Sequence, residues 1–247
     1  MTAESFRPVS NTPPTTTAGK LKFYGRMLFD FQVLTVYRDL HKHLPGFRGD
    51  VLDVGCGQSP YRFLLNEEST RYVGIDIADA DKFDYDNSEI VPFDGEHIPF
   101  PDEQFDAVIC TEVLEHVPHF QGLVDEIHRV MKEGGQAVVT VPWSARFHYA
   151  PYDYFRFTPS SLAEMFGKFA AVQITTRGTD VTVIGSKLVV LWFRNLLPAD
   201  RRNLALVPLW ILASPILAVA LVIAQFSLST GAGSDDDPLG YTISVTK

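Results

Sequence analysis

The chain has 247 residues, a formal net charge of −9 and 46% hydrophobic residues. Its length accommodates one α/β domain of ordinary size together with an insertion. The acidic balance argues against a nucleic-acid-binding protein, which needs a basic face to neutralise phosphates. The two cysteines, Cys56 and Cys110, are expected to be buried thiols, and no Cys, His or acidic residues stand at metal-ligand spacing, so we predict no metal site.

The first 19 residues are rich in Thr and Pro and lack an apolar core, which predicts a disordered tail and no secretory signal. Residues 23–44 then place aromatic and aliphatic side chains at helical spacing and end before Pro45-Gly46. We therefore expect one or two helices that pack over a ligand cleft.

Apolar runs and amphipathic segments alternate along the next part of the chain. Strands are expected near residues 50–55, 71–76, 89–93, 106–111, 136–141, 170–176 and 241–247, and helices near 60–67 and 119–132. Gly134-Gly135 is expected to end the second of these helices, and Thr158-Pro159 to begin a further one. This alternation predicts an α/β fold with a mostly parallel sheet and helices on both faces.

Residues 51–60, VLDVGCGQSP, have the layout of a nucleotide-binding strand followed by a tight glycine turn. A second apolar run ends in Asp76, about where a ribose-binding acid is expected. The turn has no third glycine and no basic residue to hold a pyrophosphate. This pattern favours a nucleoside ligand without phosphates, of which S-adenosylmethionine is the commonest.

Four segments occur in an order and spacing that chance does not explain: VLDVGCGQSPY, VGIDIAD, FDGEHIPFPDEQFDAVICTEVLEHV and LVDEIHRVMKEGGQAVVTVP. Over residues 49–142 the chain therefore resembles the class I S-adenosylmethionine-dependent methyltransferases of the bacterial type 11 group. The resemblance implies a Rossmann-like sheet of seven strands, mostly parallel, whose last strand is antiparallel and lies between its neighbours. Residues 20–176 and 240–247 would then form the methyltransferase domain, with an apolar helical insertion at 177–239.

The resemblance also implies that S-adenosyl-L-methionine is the cofactor and indicates which residues bind it. Nine residues are expected to do so: Asp53, Gly55, Gly57, Asp76, Ile77, Asp94, Gly95, Thr111 and Glu112.

These residues are expected to contact different parts of the cofactor. Asp53 would orient the glycine turn or the cofactor's amino group, and an ionised Asp76 would accept from both ribose hydroxyls. Asp94 would accept from the adenine amine, although an ordinary Asp-Gly turn explains the same two residues. Thr111 and Glu112 would line the methionine arm. The glycines alone also suit a plain strand-to-helix turn.

Three residues are candidates for catalysis. His148 is the leading candidate for a general base because its ordinary pKa suits neutral pH, and Asp153 follows it. His116 could face the acceptor, or it could be a structural residue that bonds a carbonyl. The aromatics of residues 151–157 could line an acceptor pocket, or they could be core packing with Asp153 and Arg156 as a local ion pair.

These features predict methyl transfer to a small-molecule, lipid or glycan-carrier acceptor, most readily on oxygen, in the cytoplasm. The acidic charge and the lack of an Asn-Pro-Pro-Tyr type motif disfavour nucleic acids. One alternative is a non-catalytic cofactor-binding or membrane scaffold protein that has kept the fold. Another is a soluble enzyme whose apolar insertion is a helical lid or a dimer interface.

Residues 204–224 form an uncharged run of 21 residues, about 30 Å long as a helix. A single crossing would leave the last strand on the wrong side of a membrane. We expect Pro215 to divide the run into two half-length helices that enter and leave one leaflet.

Residues 181–197 are expected to form an interfacial helix next to this run. Lys187 and Arg194 would lie on one of its faces and Trp192 on the opposite, apolar face. Arg201 and Arg202 would stay with them at the anionic surface. Residues 181–226 thus predict peripheral or monotopic association with the inner face of the cytoplasmic membrane, or alternatively a helical pair packed on the sheet or on a partner subunit.

Overall fold

The computed structural model of the protein describes residues 12–77, 89–149, 151–198 and 201–247. Seven strands of these residues form one sheet in the order β3-β2-β1-β4-β5-β7-β6. Their bounds are β1 Gly49–Val54, β2 Thr70–Ile77, β3 Val91–Phe93, β4 Phe105–Thr111, β5 Met131–Pro142, β6 Ala171–Arg177 and β7 Gly240–Thr246. The last strand, β7, runs antiparallel between β5 and β6, and the other pairings are parallel, which confirms the predicted fold class.

Seven α-helices surround the sheet in the described parts of the chain: α1 Thr17–Arg26, α2 Phe31–His43, α3 Phe120–Val130, α4 Pro159–Met165, α5 Asp180–Leu196, α6 Val207–Leu212 and α7 Ser214–Thr230. Short polar side chains begin several of them. Thr16 accepts from the Gly19 amide, Asp30 from the Val33 amide and Thr158 from the Ser161 amide. The first helix thus begins inside the segment predicted to be a disordered tail, whose residues 1–11 lie outside the described chain.

The central strands are apolar on both sides because helices cover both faces of the sheet. In β1, Val51, Leu52 and Val54 are all fully buried. The amphipathic α3 buries one side of the sheet, and α1 and α2 bury the other. Helix α2 also reaches the chain just before β7, where the Gln32 side-chain amide donates to the Leu239 carbonyl.

Two predictions about helices were wrong. Residues 60–67 form only a 3-10 helix, Arg62–Leu64. Helix α3 ends at Val130, because Met131 is extended and already pairs with Phe105 of β4. Gly134-Gly135 therefore lies within β5, where Gly134 has φ +76° beside an irregularity of the strand register.

The insertion between β6 and β7 consists of α5, α6 and α7. Pro215 stands in the first turn of α7, and the run of residues 204–224 bends there by 59°. The two parts are Leu204–Leu212 and Ser214–Thr230, so the predicted break of the run is present and α7 continues beyond its end. Within the described ranges no single helix is long and apolar enough to cross a membrane. The two parts of the bent pair together have the length and the apolar composition that a crossing requires.

A small core joins the insertion to the rest of the domain. Phe31 of α2 is fully buried among Val183, Val189, Leu217 and Ala224. This contact anchors α5 and α7 to the sheet.

The indole nitrogen of Trp192 donates to the Trp210 carbonyl at 3.0 Å. Trp192, which was predicted to lie on the apolar face of an interfacial helix, is half-buried against α6.

The close approach of α5 to α7 gives a stability prediction. A Cβ atom on Gly185 would lie 2.5 Å from the Ala224 Cβ, whereas one on Gly122 of α3 would meet nothing within 4 Å. Gly185→Ala should therefore lower the free energy of unfolding by about 1–3 kcal/mol through overpacking. Gly122→Ala should raise it by about 0.5–1 kcal/mol through helix propensity. Urea denaturation measures both, and equal effects of the two variants would contradict this packing.

Candidate functional site

The glycine turn after β1 packs tightly against two other segments. Gly55 and Gly57 have φ +68° and +50°, in the region that glycine favours. The amides of Gly55 and Cys56 both donate to the Ile75 carbonyl, at 2.9 and 3.0 Å. A Cβ on Gly55 would overlap the Val113 side chain, which follows β4. The turn is thus fixed between the ends of β2 and β4.

Asp76 connects the glycine turn to the end of β2. Its Oδ2 accepts from the Gly57 amide and its Oδ1 from the Ile77 amide, each at 2.7 Å. Burial raises the pKa of Asp76 above its ordinary value, against the opposite effect of these two amides. Each oxygen retains a second lone pair for a further donor.

Asp53 lies below the turn, at 5% exposure. The Tyr72 hydroxyl donates to Asp53 Oδ2 at 2.7 Å and lies 2.8 Å from the Ser59 hydroxyl. Burial raises the pKa of Asp53 to about 7, and the nearby Asp76 charge adds to this, although the Tyr72 hydrogen bond opposes it. The arrangement favours the predicted role of orienting the turn.

Asp94 and Gly95 follow β3 at the same end of the sheet. Asp94 Oδ1 accepts from the amides of Glu96 and His97, at 2.8 and 2.6 Å, and Gly95 has φ +87°. These amide hydrogen bonds lower the pKa of Asp94 to about 2, so that it is ionised. The Asp-Gly turn that the sequence left open is therefore present, with a carboxylate that is still 59% exposed for a ligand.

Thr111 ends β4 and pairs with Thr140 of β5. The next residue, Glu112, has φ +55°, an uncommon value for a residue with a side chain. Its Oε1 accepts from Nη2 of Arg177 at 2.6 Å.

Arg177 was missed by the sequence analysis. It ends β6, is 1% exposed, and donates also to the Val141 carbonyl at 3.0 Å. No local pattern indicated it, because its partner Glu112 lies 65 residues away.

The three candidate catalytic residues lie together. The rings of His116 and His148 are 4.9 Å apart between centroids. His148 Nδ1 lies 3.1 Å from Asp153 Oδ2, and the His148 amide donates to the same oxygen at 2.9 Å. The fold thus brings these residues together from two separate loops, after β4 and after β5.

Asp153 is not suited to act as the base. Although burial raises its pKa, hydrogen bonds from Arg156 and from the His148 amide hold the pKa of Asp153 below its ordinary value. Arg156 binds both of its oxygens, at 2.6 and 2.9 Å, so the predicted local ion pair is present. Asp153 therefore orients His148.

The alternative role for His116 is also present, since its Nδ1 donates to the Tyr152 carbonyl at 2.6 Å. Among the nearby aromatics, Phe155 and Phe157 stack beside Phe120 as core packing. Tyr152 and Tyr154 are nearly half exposed and could meet an acceptor.

Glu115 is a second residue that the sequence analysis missed. It is fully buried next to His116, and its carboxylate groups with His116 and His148 so that one ligand atom from each lies within 4.8 Å of the others. Spacing along the chain could not show this, because His148 comes from a different loop.

Comparison with known proteins shows what this region is similar to. Residues 52–139 match the sequence profile of a family described as a methyltransferase domain. A SAM-dependent methyltransferase from Archaeoglobus fulgidus has the same fold, with a TM-score of 0.54 and 20% identity over 92% of this chain and 97% of that one.

Two curated relatives match shorter stretches. A sterol 24-C-methyltransferase of Gibberella zeae is 36% identical over 102 residues, which cover 37% of this chain and 26% of the relative. A demethylmenaquinone methyltransferase of Listeria welshimeri is 29% identical over 141 residues, which cover 49% and 56%. The matched stretches thus span little more than half of these relatives' lengths at most.

The raised pKa of Asp53 gives a prediction about pH. In the unfolded chain Asp53 ionises near pH 4, whereas in the folded protein it keeps its proton to about pH 7. Unfolding therefore releases a proton between these values, and the wild type loses stability as the pH rises through that window. Asp53→Asn keeps an acceptor for Tyr72 but cannot titrate.

The stability of the wild type relative to Asp53→Asn should therefore fall by about 2–3 kcal/mol between about pH 5 and pH 7.5. Urea denaturation of both proteins at the two pH values measures this. A constant difference between the two proteins would show that Asp53 is ionised throughout.

Proposed function

We propose that this protein, whose residues 52–139 belong to the methyltransferase domain family, transfers a methyl group from S-adenosyl-L-methionine to a hydroxyl of a membrane-dissolved acceptor. The observation that carries the proposal is the pair of hydrogen bonds through which Asp76 joins the glycine turn to the end of β2. It places a carboxylate with spare acceptor capacity beside a turn that carries no phosphate-binding group.

The residues present fit this cofactor chemically. Acidic side chains lie at or just after the ends of β1, β2, β3 and β4, and they suit a ligand with a positive sulfonium, a positive amine and donor hydroxyls. Asp76 would hold the ribose hydroxyls, Asp94 the adenine amine, and the backbone near Thr111 and Glu112 the methionine arm. When bound, the cofactor supplies an electrophilic methyl carbon. The chain then has to align the acceptor with that carbon and exclude water.

His148 is the group best placed to take a proton from an acceptor hydroxyl. Its Nδ1 is held by Asp153 and by the Arg146 carbonyl, so its Nε2 is available to accept. The ionised Asp153 stabilises the imidazolium that would form. Burial lowers the pKa of the neighbouring His116, which therefore stays neutral and adds no competing charge.

An apolar surface of the insertion supports the membrane part of the proposal. Monomers in water rarely expose a contiguous apolar patch of this kind. Its most exposed members on α6 and α7, between 52% and 76%, are Leu209, Ile211, Leu212, Ile216, Val219, Val222, Ile223 and Phe226. Apolar side chains of α5 and of the segment after α1 continue it, since Phe29 contacts Phe193 at 5.7 Å between ring centroids.

The sheet fixes how the insertion can meet a bilayer. Arg177, the last residue of β6, pairs with Gly240, the first of β7, so the chain leaves and re-enters the sheet at one point. An odd number of crossings is therefore incompatible with the fold. Lys187 and Arg194 are exposed on α5 and would contact anionic headgroups, while the apolar face lies in one leaflet. The names of the two relatives, a sterol 24-C-methyltransferase and a demethylmenaquinone methyltransferase, are compatible with a lipophilic acceptor.

The cofactor assignment predicts a loss of affinity in Asp76→Ala. Removing the ribose contacts should weaken binding of S-adenosylhomocysteine by about 1.5–3 kcal/mol, or roughly 10- to 150-fold, measured by calorimetry. Asp76→Asn, which keeps one acceptor for the Gly57 amide, separates loss of contact from collapse of the turn. Asp125→Ala, on a surface ion pair with Lys168, is the control and should bind normally. Unchanged affinity in both Asp76 variants would overturn the assignment.

The membrane assignment predicts that charge on the exposed face of α7 releases the protein from lipid. Ile216→Glu with Val222→Glu should lower flotation with vesicles containing anionic phospholipid at least tenfold, because two buried side chains contribute about 1.5–3 kcal/mol each. Val172→Glu, at the far end of β6 from the insertion, is the control. Replacing residues 181–234 by a short linker should leave a protein that still binds the cofactor without lipid. A full-length protein that is monomeric without detergent and does not float with vesicles would contradict the proposal.

A further inference from the structure

One cluster of potential metal ligands stands beside the proposed cofactor site. Glu115 and His116 belong to the 3-10 helix Leu114–His116 that follows β4, and His148 belongs to the loop after β5. His116 Nε2 lies 3.6 Å from Glu115 Oε1, and one ligand atom from each of the three residues lies within 4.8 Å of the others. The cluster is thus close to the size of a metal site.

The environment of Glu115 indicates that the site lacks a positively charged ligand. It is 0% exposed, and within the described chain neither of its carboxylate oxygens has a hydrogen-bond partner. Its main chain is well held, since the Tyr154 amide donates to the Glu115 carbonyl at 2.9 Å. A buried carboxyl group without a partner is costly, and buried carboxylates are normally paired with cations or coordinate metals.

Both histidines are oriented as metal ligands commonly are. A carbonyl oxygen can only accept, so His116 Nδ1 carries a proton for Tyr152 and His148 Nδ1 carries one for Arg146. Asp153 supports the His148 ring through the same nitrogen. Each Nε2 is then the unprotonated nitrogen that can bind an ion. Histidine ligands of metals typically donate their other ring nitrogen to a carbonyl or carboxylate in this way.

We propose that Glu115, His116 and His148 bind one divalent transition-metal ion, with Zn²⁺ as the ion that best fits the donor set. Two imidazoles and one carboxylate are a known three-ligand set of catalytic zinc, which keeps a fourth position open. Tetrahedral ligand atoms at such bond lengths lie about 3.4 Å apart. The pair at 3.6 Å therefore needs little movement, and the third ligand needs at most about 1.4 Å.

The ion also takes the Nε2 lone pair that His148 would use as a base. An acceptor hydroxyl at the open position would become more acidic, and its proton would go to solvent and not to His148. That consequence rests on the proposed function, whereas binding of the ion does not.

The test uses the full-length protein, treated with a chelator and then titrated with Co²⁺ as a spectroscopic probe. The wild type should show visible d–d absorption that saturates at one equivalent and is displaced by Zn²⁺. Glu115→Gln, His116→Ala and His148→Ala should each abolish it. Asp153→Asn, which loosens the support of His148, should weaken Zn²⁺ binding about 10- to 100-fold. His119→Ala, an exposed histidine three residues from His116, should leave the spectrum unchanged.

Folding and the proposed cofactor provide separate controls. Glu115→Gln should keep the fold, because Gln has the same size and shape as Glu, and urea denaturation checks this. If that variant does not fold, His148→Ala in the loop decides the question. A wild type without a saturable Co²⁺ spectrum, or a spectrum that survives loss of both histidines, would overturn the proposal. Protein that binds Co²⁺ but not S-adenosylhomocysteine would contradict the proposed function alone. Protein that binds S-adenosylhomocysteine but not Co²⁺ would contradict the metal site alone.

Discussion

The insertion of β7 between β5 and β6 is the constraint on which the rest of the structure depends. Seven residues of β7 pair with each neighbour, so the chain after β6 must return to the sheet beside the place it left. The place where the chain returns to the sheet also positions the site. Gly240 packs directly on Arg177, and a side chain at position 240 would overlap the guanidinium. Arg177 in turn holds Glu112 at the end of β4. One strand pairing thereby couples the geometry of the insertion to that of the cleft.

The cleft contains more carboxyl groups than the basic side chains of the described residues around it pair with. Burial raises the pKa values of Asp53, Asp76 and Glu115, which means that each carboxylate is less stable here than in water. Buried Arg177 compensates Glu112, and Arg156 compensates Asp153, but neither binds those three. A site with this imbalance is built to gain stability from a positive ligand. A cationic nucleoside cofactor and a divalent ion both satisfy that requirement, at neighbouring positions.

The insertion has a different physical character from the sheet that carries it. The side of the insertion that faces the domain is hydrogen-bonded and closely packed. The Thr179 and Ser227 hydroxyls lie 2.6 Å apart, and Gly185 allows α5 to approach α7. The outer side of the insertion exposes large apolar side chains, whose contact with water is energetically unfavourable. The inner packing fixes the insertion to the sheet, so the exposed face is held at a defined orientation relative to the cleft. An acceptor dissolved in lipid would then reach the site with limited loss of contact with the membrane.

The sequence by itself determined the features that depend on local order. The strands, the glycine turn with its positive φ values, the acid at the end of β2 and the break at Pro215 all follow from residue spacing and backbone conformation, which neighbours along the chain control. Only the tertiary structure decided which distant side chains meet. Arg177 finds Glu112 across 65 residues, and Glu115 lies buried beside His148 from another loop. It also made Gly134-Gly135 part of a strand, because pairing of Met131 with Phe105 outweighed the local signal for a helix end. Such contacts arise from strand order and side-chain packing, which no local pattern of residues contains.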